Sequence, residues 1–219
     1  MKRYLPFAIV AGVFLIAVTA GTSLFLWKQR VAATKAVSPG MPGAEPAHLL
    51  GPIGARVQIE EFGDFQCPSC AALSPALNQA EQKYRGQVCI VFRHFPVASH
   101  QHAQAAARAA EAAGLQNRFW EMHDLLYGSQ LVWTREAKVQ EIFSQFAKSL
   151  GLDLERFNTD LERDQVNSRI VADQQRGASL GVNRTPAIFI NGRRLPDSSL
   201  NQKGLQDVID AAVNGRAMF

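Results

Sequence analysis

Val57-Gln58-Ile59-Glu60-Glu61-Phe62-Gly63-Asp64-Phe65-Gln66-Cys67-Pro68-Ser69-Cys70 runs from an apolar strand into the start of a helix, and this stretch decides the fold. A period of two puts Val57, Ile59 and Glu61 on one face of the strand and Gln58, Glu60 and Phe62 on the other. Two cysteines separated by two residues on the first turn of a helix close a disulfide with little distortion, and Cys67 sits at the positive end of the helix dipole. That position favours a thiolate, which attacks other disulfides and leaves readily from mixed ones. The chemistry implied is thiol–disulfide exchange. Glu61 points inward with the apolar pair, where a carboxylate can take and return the proton of Cys70. A strand-end glutamate that simply reaches water is the plainer alternative. Pro75 is expected to kink a helix that otherwise runs to about Tyr84.

Two close cysteines also make half of a zinc site. Structural zinc takes four ligands, but the one other cysteine is Cys89, in an apolar run, and His100 and His102 stand two apart rather than three to five. No second half-site is visible, so no metal is assigned. A carrier or assembly factor that holds Cu(I) on the same two thiolates is the alternative the residues leave open. It predicts stoichiometric metal binding without turnover of a dithiol.

Far along the chain stands Gly181-Val182-Asn183-Arg184-Thr185-Pro186-Ala187-Ile188-Phe189-Ile190-Asn191-Gly192. Ala187 to Ile190 reads as a strand, Asn191-Gly192 as a two-residue hairpin turn and Arg193 to Leu195 as the returning strand. Pro186 offers no N–H to the ladder at the strand's first position. A cis Thr185–Pro186 bond would leave the Thr185 backbone free to pair with an extended substrate beside the cysteines.

In that order, a strand ending Glu-Phe-Gly-Asp-Phe-Gln, then Cys67-Pro68-Ser69-Cys70, a kinked helix, a second strand, a long helical stretch and a late Thr-Pro with its hairpin resemble the DsbA-like branch of the thioredoxin superfamily. The resemblance covers about residues 46 to 215. It implies that Cys67 attacks, Cys70 resolves, Glu61 is the buried acid, and Thr185 with a cis Pro186 binds substrate. The active-site dipeptide departs from the family's strongest oxidants, since Pro68-Ser69 stands where they carry Pro-His and one source of thiolate stabilisation is absent. The redox-active Cys67–Cys70 disulfide then serves without any cofactor. Clients would be exported proteins with free or mispaired cysteines, and a membrane redox partner would reset the pair. Disulfide formation is the expected direction, with reduction or isomerisation as the near alternative.

Met1-Lys2-Arg3 precedes about 24 mostly apolar residues, Tyr4 to Trp27, which as a helix would extend roughly 36 Å against a hydrocarbon core of about 30 Å. Lys28 and Arg30 close the segment, with Tyr4 and Trp27 as interfacial aromatics. Residues 1–30 are therefore read as a single-pass anchor in a bacterial inner membrane; cleavage as a signal peptide after Val18-Thr19-Ala20 is the rival. Charges on the two flanks oppose one another, so orientation rests on chemistry. A working dithiol oxidant belongs outside the reducing cytosol, which places the domain in the periplasm. Residues 31–52, rich in Ala, Pro and Gly, read as a linker spanning roughly 26 Å if flexible.

Five of the 23 Lys and Arg lie in the first 35 residues, where there is no acid, leaving 18 against 19 Asp and Glu and a formal charge of −1 for the rest. The basic balance belongs to the anchor flanks and excludes a nucleic-acid partner. No phosphate loop, dinucleotide fingerprint or internal repeat is present.

Residues 53–219 suit one α/β domain of thioredoxin-like fold with an inserted all-helical subdomain at about 100–180, preceded by the transmembrane helix. Val88 to Phe92 reads as a buried strand parallel to the first, with Cys89 an inert core thiol and His94 a strand-end or loop histidine. A weak extra strand is expected around Leu49 to Ile53. Helical periodicity covers Gln101 to Ala113, Asn117 to Tyr127, a segment capped by Thr134 and lined by Val139, Ile142, Phe143, Phe146 and Leu150, another capped by Asp153, and one through Val166 and Ile170. A last helix, with Leu205, Val208, Ile209, Ala212 and Val213 on one face, should cover the sheet.

Overall fold

The computed structural model describes residues 40–216. Among these, no helix is long and apolar enough to cross a membrane. The predicted anchor, residues 1–30, lies outside them, as do residues 31–39 of the predicted linker.

Five strands form one sheet in the order β1-β3-β2-β4-β5: β1 (His48–Leu50), β2 (Val57–Gly63), β3 (Val88–His94), β4 (Ala187–Ile190) and β5 (Arg193–Arg194). Strands β2 and β3 are parallel, as a crossover through the intervening helix α1 (Pro68–Lys83) requires, while β4 lies antiparallel on the other side of β2. Glu61 is thereby flanked by Phe92 on one side and Ile188 on the other. Asn191 and Gly192 both adopt positive φ, as the predicted hairpin turn demands.

Alternation along β2 sorts the core as the sequence predicts. Val57 and Ile59 pack with Leu73, Leu77 and Ala80 of α1 and with Leu205 and Ile209 of the last helix, α8 (Gln202–Val213), while Phe62 packs with Phe189 on the opposite face. Between β3 and β4 lies the helical insertion: α2 (Ala103–Gly114), α3 (Phe119–Gly128), α4 (Gln130–Trp133), α5 (Val139–Ser149), α6 (Leu154–Asp160) and α7 (Asp164–Ser179). Its own core of Phe119, Met122, Leu126, Trp133, Phe143 and Phe157 is continuous with Phe65, Phe92, Cys67 and Cys70. The Cys67-Pro68-Ser69-Cys70 motif therefore stands at the seam between sheet and insertion.

Part of the predicted linker belongs to the folded domain. Ala44 is buried, its N–H donating to Asp173 Oδ1 (2.8 Å) and its carbonyl accepting from Arg93 Nη1 (2.7 Å), and β1 pairs with β3. Composition suggested a tether because the partners that order this segment lie 49 and 129 residues away. Arg93 also meets Glu60 (3.0 Å) and Asp173 (3.1 Å), and Arg176 grips both oxygens of Glu60 (2.6 and 2.8 Å). Buried charges persist where they are paired in this way.

A second cluster joins β1, β3, α2 and α7. His48 and His94 each place Nε2 at 2.9 and 3.0 Å from Glu111 Oε1, and Arg169 Nε donates to Glu111 Oε2 at 2.6 Å. The three metal-capable groups lie within 4.8 Å of one another, yet the guanidinium already supplies the cation, with Nη2 3.2 Å from His48 Nε2. His94, expected at a strand end, closes β3 and is wholly buried.

Two helix starts differ from the sequence reading. Thr134 ends α4 rather than capping the next helix, because its Oγ1 donates back to the Gln130 carbonyl (2.7 Å); Lys138 precedes α5 instead. Asn117 takes a positive φ of 61° and stays outside α3. Asp153 does cap α6, accepting from Arg156 N at 3.0 Å.

Candidate active site

Strand β2 delivers Glu61 and Gly63, and the chain turns at Asp64 before α1 begins. The Asp64 carbonyl accepts from Cys67 N (3.0 Å) and Oδ1 from Gln66 N (2.7 Å), while Oδ2 accepts from Val97 N (2.8 Å) and pairs with His100 Nδ1 (2.7 Å). Cys67 is the N-cap of α1, with Pro68 at the first helical position, where the missing N–H costs nothing. From the insertion, the His102 N–H donates to Gln66 Oε1 (2.6 Å), and Gln130 Nε2 donates to the carbonyls of Phe65 (2.7 Å) and Cys67 (3.0 Å).

Cys67, Cys70 and Cys89 are all free thiols. Cys67 retains 6% exposure between the exposed Pro68-Ser69 pair and the Thr185 carbonyl, which accepts from its Sγ at 3.5 Å; Cys70 retains none. The Cys67 thiol is pulled down to about 5 by the hydrogen bond from Cys70, helped by the side chain of Thr185 and the backbone N–H groups of Cys70 and Ser69, against the opposing effect of burial. Cys70 moves the other way, well above the ordinary thiol range, through burial first, then its hydrogen bond to Cys67 and the charge of Glu61. The two sulfurs thus have opposite characters.

Glu61 is 1% exposed, and burial followed by the charge of Cys67 pushes its carboxyl up to about 8. Its Oε1 has no hydrogen-bond partner among the described residues, so the plainer expectation of a water-reaching glutamate does not hold. The phenol of Tyr127, on α3, is also buried and unpartnered there; it occupies the space beside Gly63, where a Cβ would stand 2.8 Å from it. Thr185–Pro186 is cis, and so is Glu45–Pro46, which the sequence reading did not anticipate.

Cys67, Cys70, Glu61, Thr185 and Pro186 therefore lie at one end of the β2–β4 pair, with Pro68 and Ser69 on the exposed rim. Asp64, Gln66, Tyr127 and Gln130 were not singled out from sequence. A glutamine just before the apolar run Leu131-Val132-Trp133 was the one available signal for Gln130, since such a side chain needs partners if it is buried. Cys89 lies in β3, as expected of a core thiol, and burial raises it.

A profile of the family described as Thioredoxin matches residues 44–211, and the chain belongs to that family. A thioredoxin-like oxidoreductase from Silicibacter pomeroyi DSS-3 is 28% identical, with a TM-score of 0.66 over 79% of this chain and 95% of that one. BdbD from Bacillus subtilis shares the fold at 24% identity and a TM-score of 0.68, covering 81% of this chain and 98% of its own. Among curated proteins, the Na(+)/H(+) antiporter NhaA 1 of Salinispora arenicola is 35% identical over 224 residues, 94% of this chain. NhaA 3 of Salinispora tropica is 40% identical over 148 residues, 67% of this chain. The chain spans a third of the first of these relatives and 22% of the second.

Proposed function

We propose that the protein forms disulfide bonds in exported proteins, as a membrane-tethered domain on the periplasmic side of a bacterial inner membrane. The opposite shifts of Cys67 and Cys70 carry this reading. At pH 7 a thiol titrating at about 5 is about 99% ionised, against about 1% at the ordinary 9.0. As an attacking group it gains little, because intrinsic nucleophilicity falls with a Brønsted slope of about 0.4–0.5 and cancels most of that factor. As a leaving group it keeps the whole advantage. Stabilising the reduced form about 100-fold raises a two-electron potential by about 60 mV, which favours oxidation of clients even without a histidine in the dipeptide.

The steps follow the two sulfurs. A client thiolate attacks Cys67 Sγ of the disulfide, the Cys67–Cys70 bond breaks, and Cys70 leaves with a proton from Glu61, which is mostly protonated below about pH 8. A second client thiolate attacks the client sulfur of the mixed disulfide and expels Cys67 as a stable thiolate. The client has lost two electrons to the protein, and a membrane redox partner takes them on to restore the disulfide. Thr185, whose carbonyl already sits beside Cys67 Sγ, pairs with the extended client backbone, and Pro186 leaves that edge open.

The test uses the oxidised protein and a reduced client with several cysteines. Stoichiometric oxidation of that client, loss of exchange in Cys67→Ser, and mixed disulfides trapped when reduced Cys70→Ser attacks the disulfide-bonded form of the client support the assignment; equal trapping by the reduced Cys67→Ser and Cys70→Ser variants contradicts the roles. For topology, Ser38→Cys should react with an impermeant thiol reagent once the outer membrane is permeabilised, and labelling only after lysis reverses the orientation.

A further inference from the structure

Gln130 connects the helical insertion to the redox turn through one nitrogen. Its two Nε2 hydrogens are both engaged, on the Phe65 carbonyl at 2.7 Å and the Cys67 carbonyl at 3.0 Å, and the side chain is 5% exposed. These two carbonyls belong to the peptide planes on either side of Gln66 and Cys67. The second plane is the Cys67–Pro68 peptide, which has no N–H, so hydrogen bonds can hold it only through its oxygen. That oxygen receives Gln130 and the Ala71 N–H at 3.2 Å.

The platform behind Gln130 is itself fixed. Trp133 is fully buried in the same short helix, donates Nε1 to the Leu126 carbonyl (2.7 Å) and meets Phe143 edge-on at 5.3 Å, while Thr134 Oγ1 holds the Gln130 carbonyl. The Cys67 side chain lies between those two planes. A rotation of either plane moves Sγ relative to the Thr185 carbonyl and to the Ser69 and Cys70 N–H groups.

We propose that Gln130 is a positioning residue that tunes the thiolate and redox equilibrium of Cys67 from the helical insertion, by locking the peptide planes at the two ends of the Gln66-Cys67 pair. This rests on the disulfide-exchange reading of the site and extends it to a residue that touches neither sulfur. Gln130→Met keeps the length and apolar bulk and removes both donors. One net hydrogen bond corresponds to about a tenfold change in an equilibrium. The Cys67 titration midpoint, followed by thiolate absorbance, should therefore rise by about one unit in Gln130→Met, and the equilibrium with glutathione should shift about tenfold toward the oxidised protein. Ile170→Val loosens a separate cluster of the same insertion, packed with Ala107 and Val166 away from Trp133 and the turn, and should lower stability while leaving the midpoint in place.

An unchanged midpoint in Gln130→Met, or an equal shift in Ile170→Val, overturns the proposal. If the wild-type midpoint itself lies near 9, the underlying reading of Cys67 fails instead, so the two failures are distinguishable. Should Gln130→Met not fold, the wild-type protein decides: both side-chain amide hydrogens of Gln130 should exchange slowly with solvent, and rapid exchange overturns the proposal.

Discussion

Replacing Glu61 by Gln should make the reduced protein's stability less sensitive to pH, by an amount the site itself sets. The folded carboxyl releases its proton at about 8 instead of the ordinary 4.5, chiefly because burial opposes its charge and secondarily because the Cys67 thiolate stands nearby. A group that holds its proton more tightly when folded contributes most stability below 4.5, loses it as pH rises through about 8, and is flat above. Between the two values the loss runs at about 1.4 kcal/mol per pH unit. From pH 5 to pH 8 the difference between Glu61→Gln and wild type should grow in the variant's favour by about 3–4 kcal/mol. The amide's own packing cost offsets the curves but does not tilt them, and Cys67 titrates in both proteins. Urea unfolding under reducing conditions at pH 5, 6, 7 and 8 measures this difference directly. Once the disulfide forms, the thiolate charge disappears and the window should move to lower pH. A difference constant across the series would refute the assignment of Glu61 as a buried, mostly protonated acid.

Alkylation of Cys67 by iodoacetamide should be level between pH 6 and 8 and fall about tenfold per unit below pH 5, as the thiolate is lost; a rate still rising at pH 8 indicates an ordinary thiol. Gly63→Ala would place a Cβ 2.6 Å from Phe92 Cε2 and 2.8 Å from the Tyr127 hydroxyl. It should cost about 1–3 kcal/mol in unfolding experiments, and a neutral effect means the aromatic pair yields freely. Arg93→Met strips a guanidinium shared by Glu60, Asp173 and the Ala44 carbonyl and should destabilise by about 3–5 kcal/mol, with enhanced proteolysis near residue 44 as the local readout.

What the sequence disclosed was local. The period of two in β2 put Glu61 with Val57 and Ile59, the two-residue cysteine spacing marked the helix start, and Asn191-Gly192 marked the hairpin, because each rests on neighbouring residues. Such signals also sufficed to place Thr185-Pro186 before a strand, and the family resemblance then joined it to the cysteines. What it concealed depends on distance along the chain. Gln130 reaches Cys67 across 63 residues, and Arg169 reaches the segment at Glu45 and Pro46 across more than 120. A composition rich in Ala, Pro and Gly does not reveal that Ala44 is bonded to a carboxylate in a later helix. Thr134 shows the same limit at short range, since its hydroxyl suits a cap or a bond back to the preceding turn, and the packing of Trp133 selects the second.

The reduction potential of the Cys67–Cys70 pair, read from its equilibrium with glutathione at pH 7, bears most directly on the claim that a stabilised Cys67 thiolate makes this an oxidant. A value near or above about −220 mV, some 50 mV over thioredoxin's roughly −270 mV, whose own thiol titrates near 7, is the predicted result. A pair lying at or below thioredoxin's potential would contradict it and assign the protein to the reducing direction.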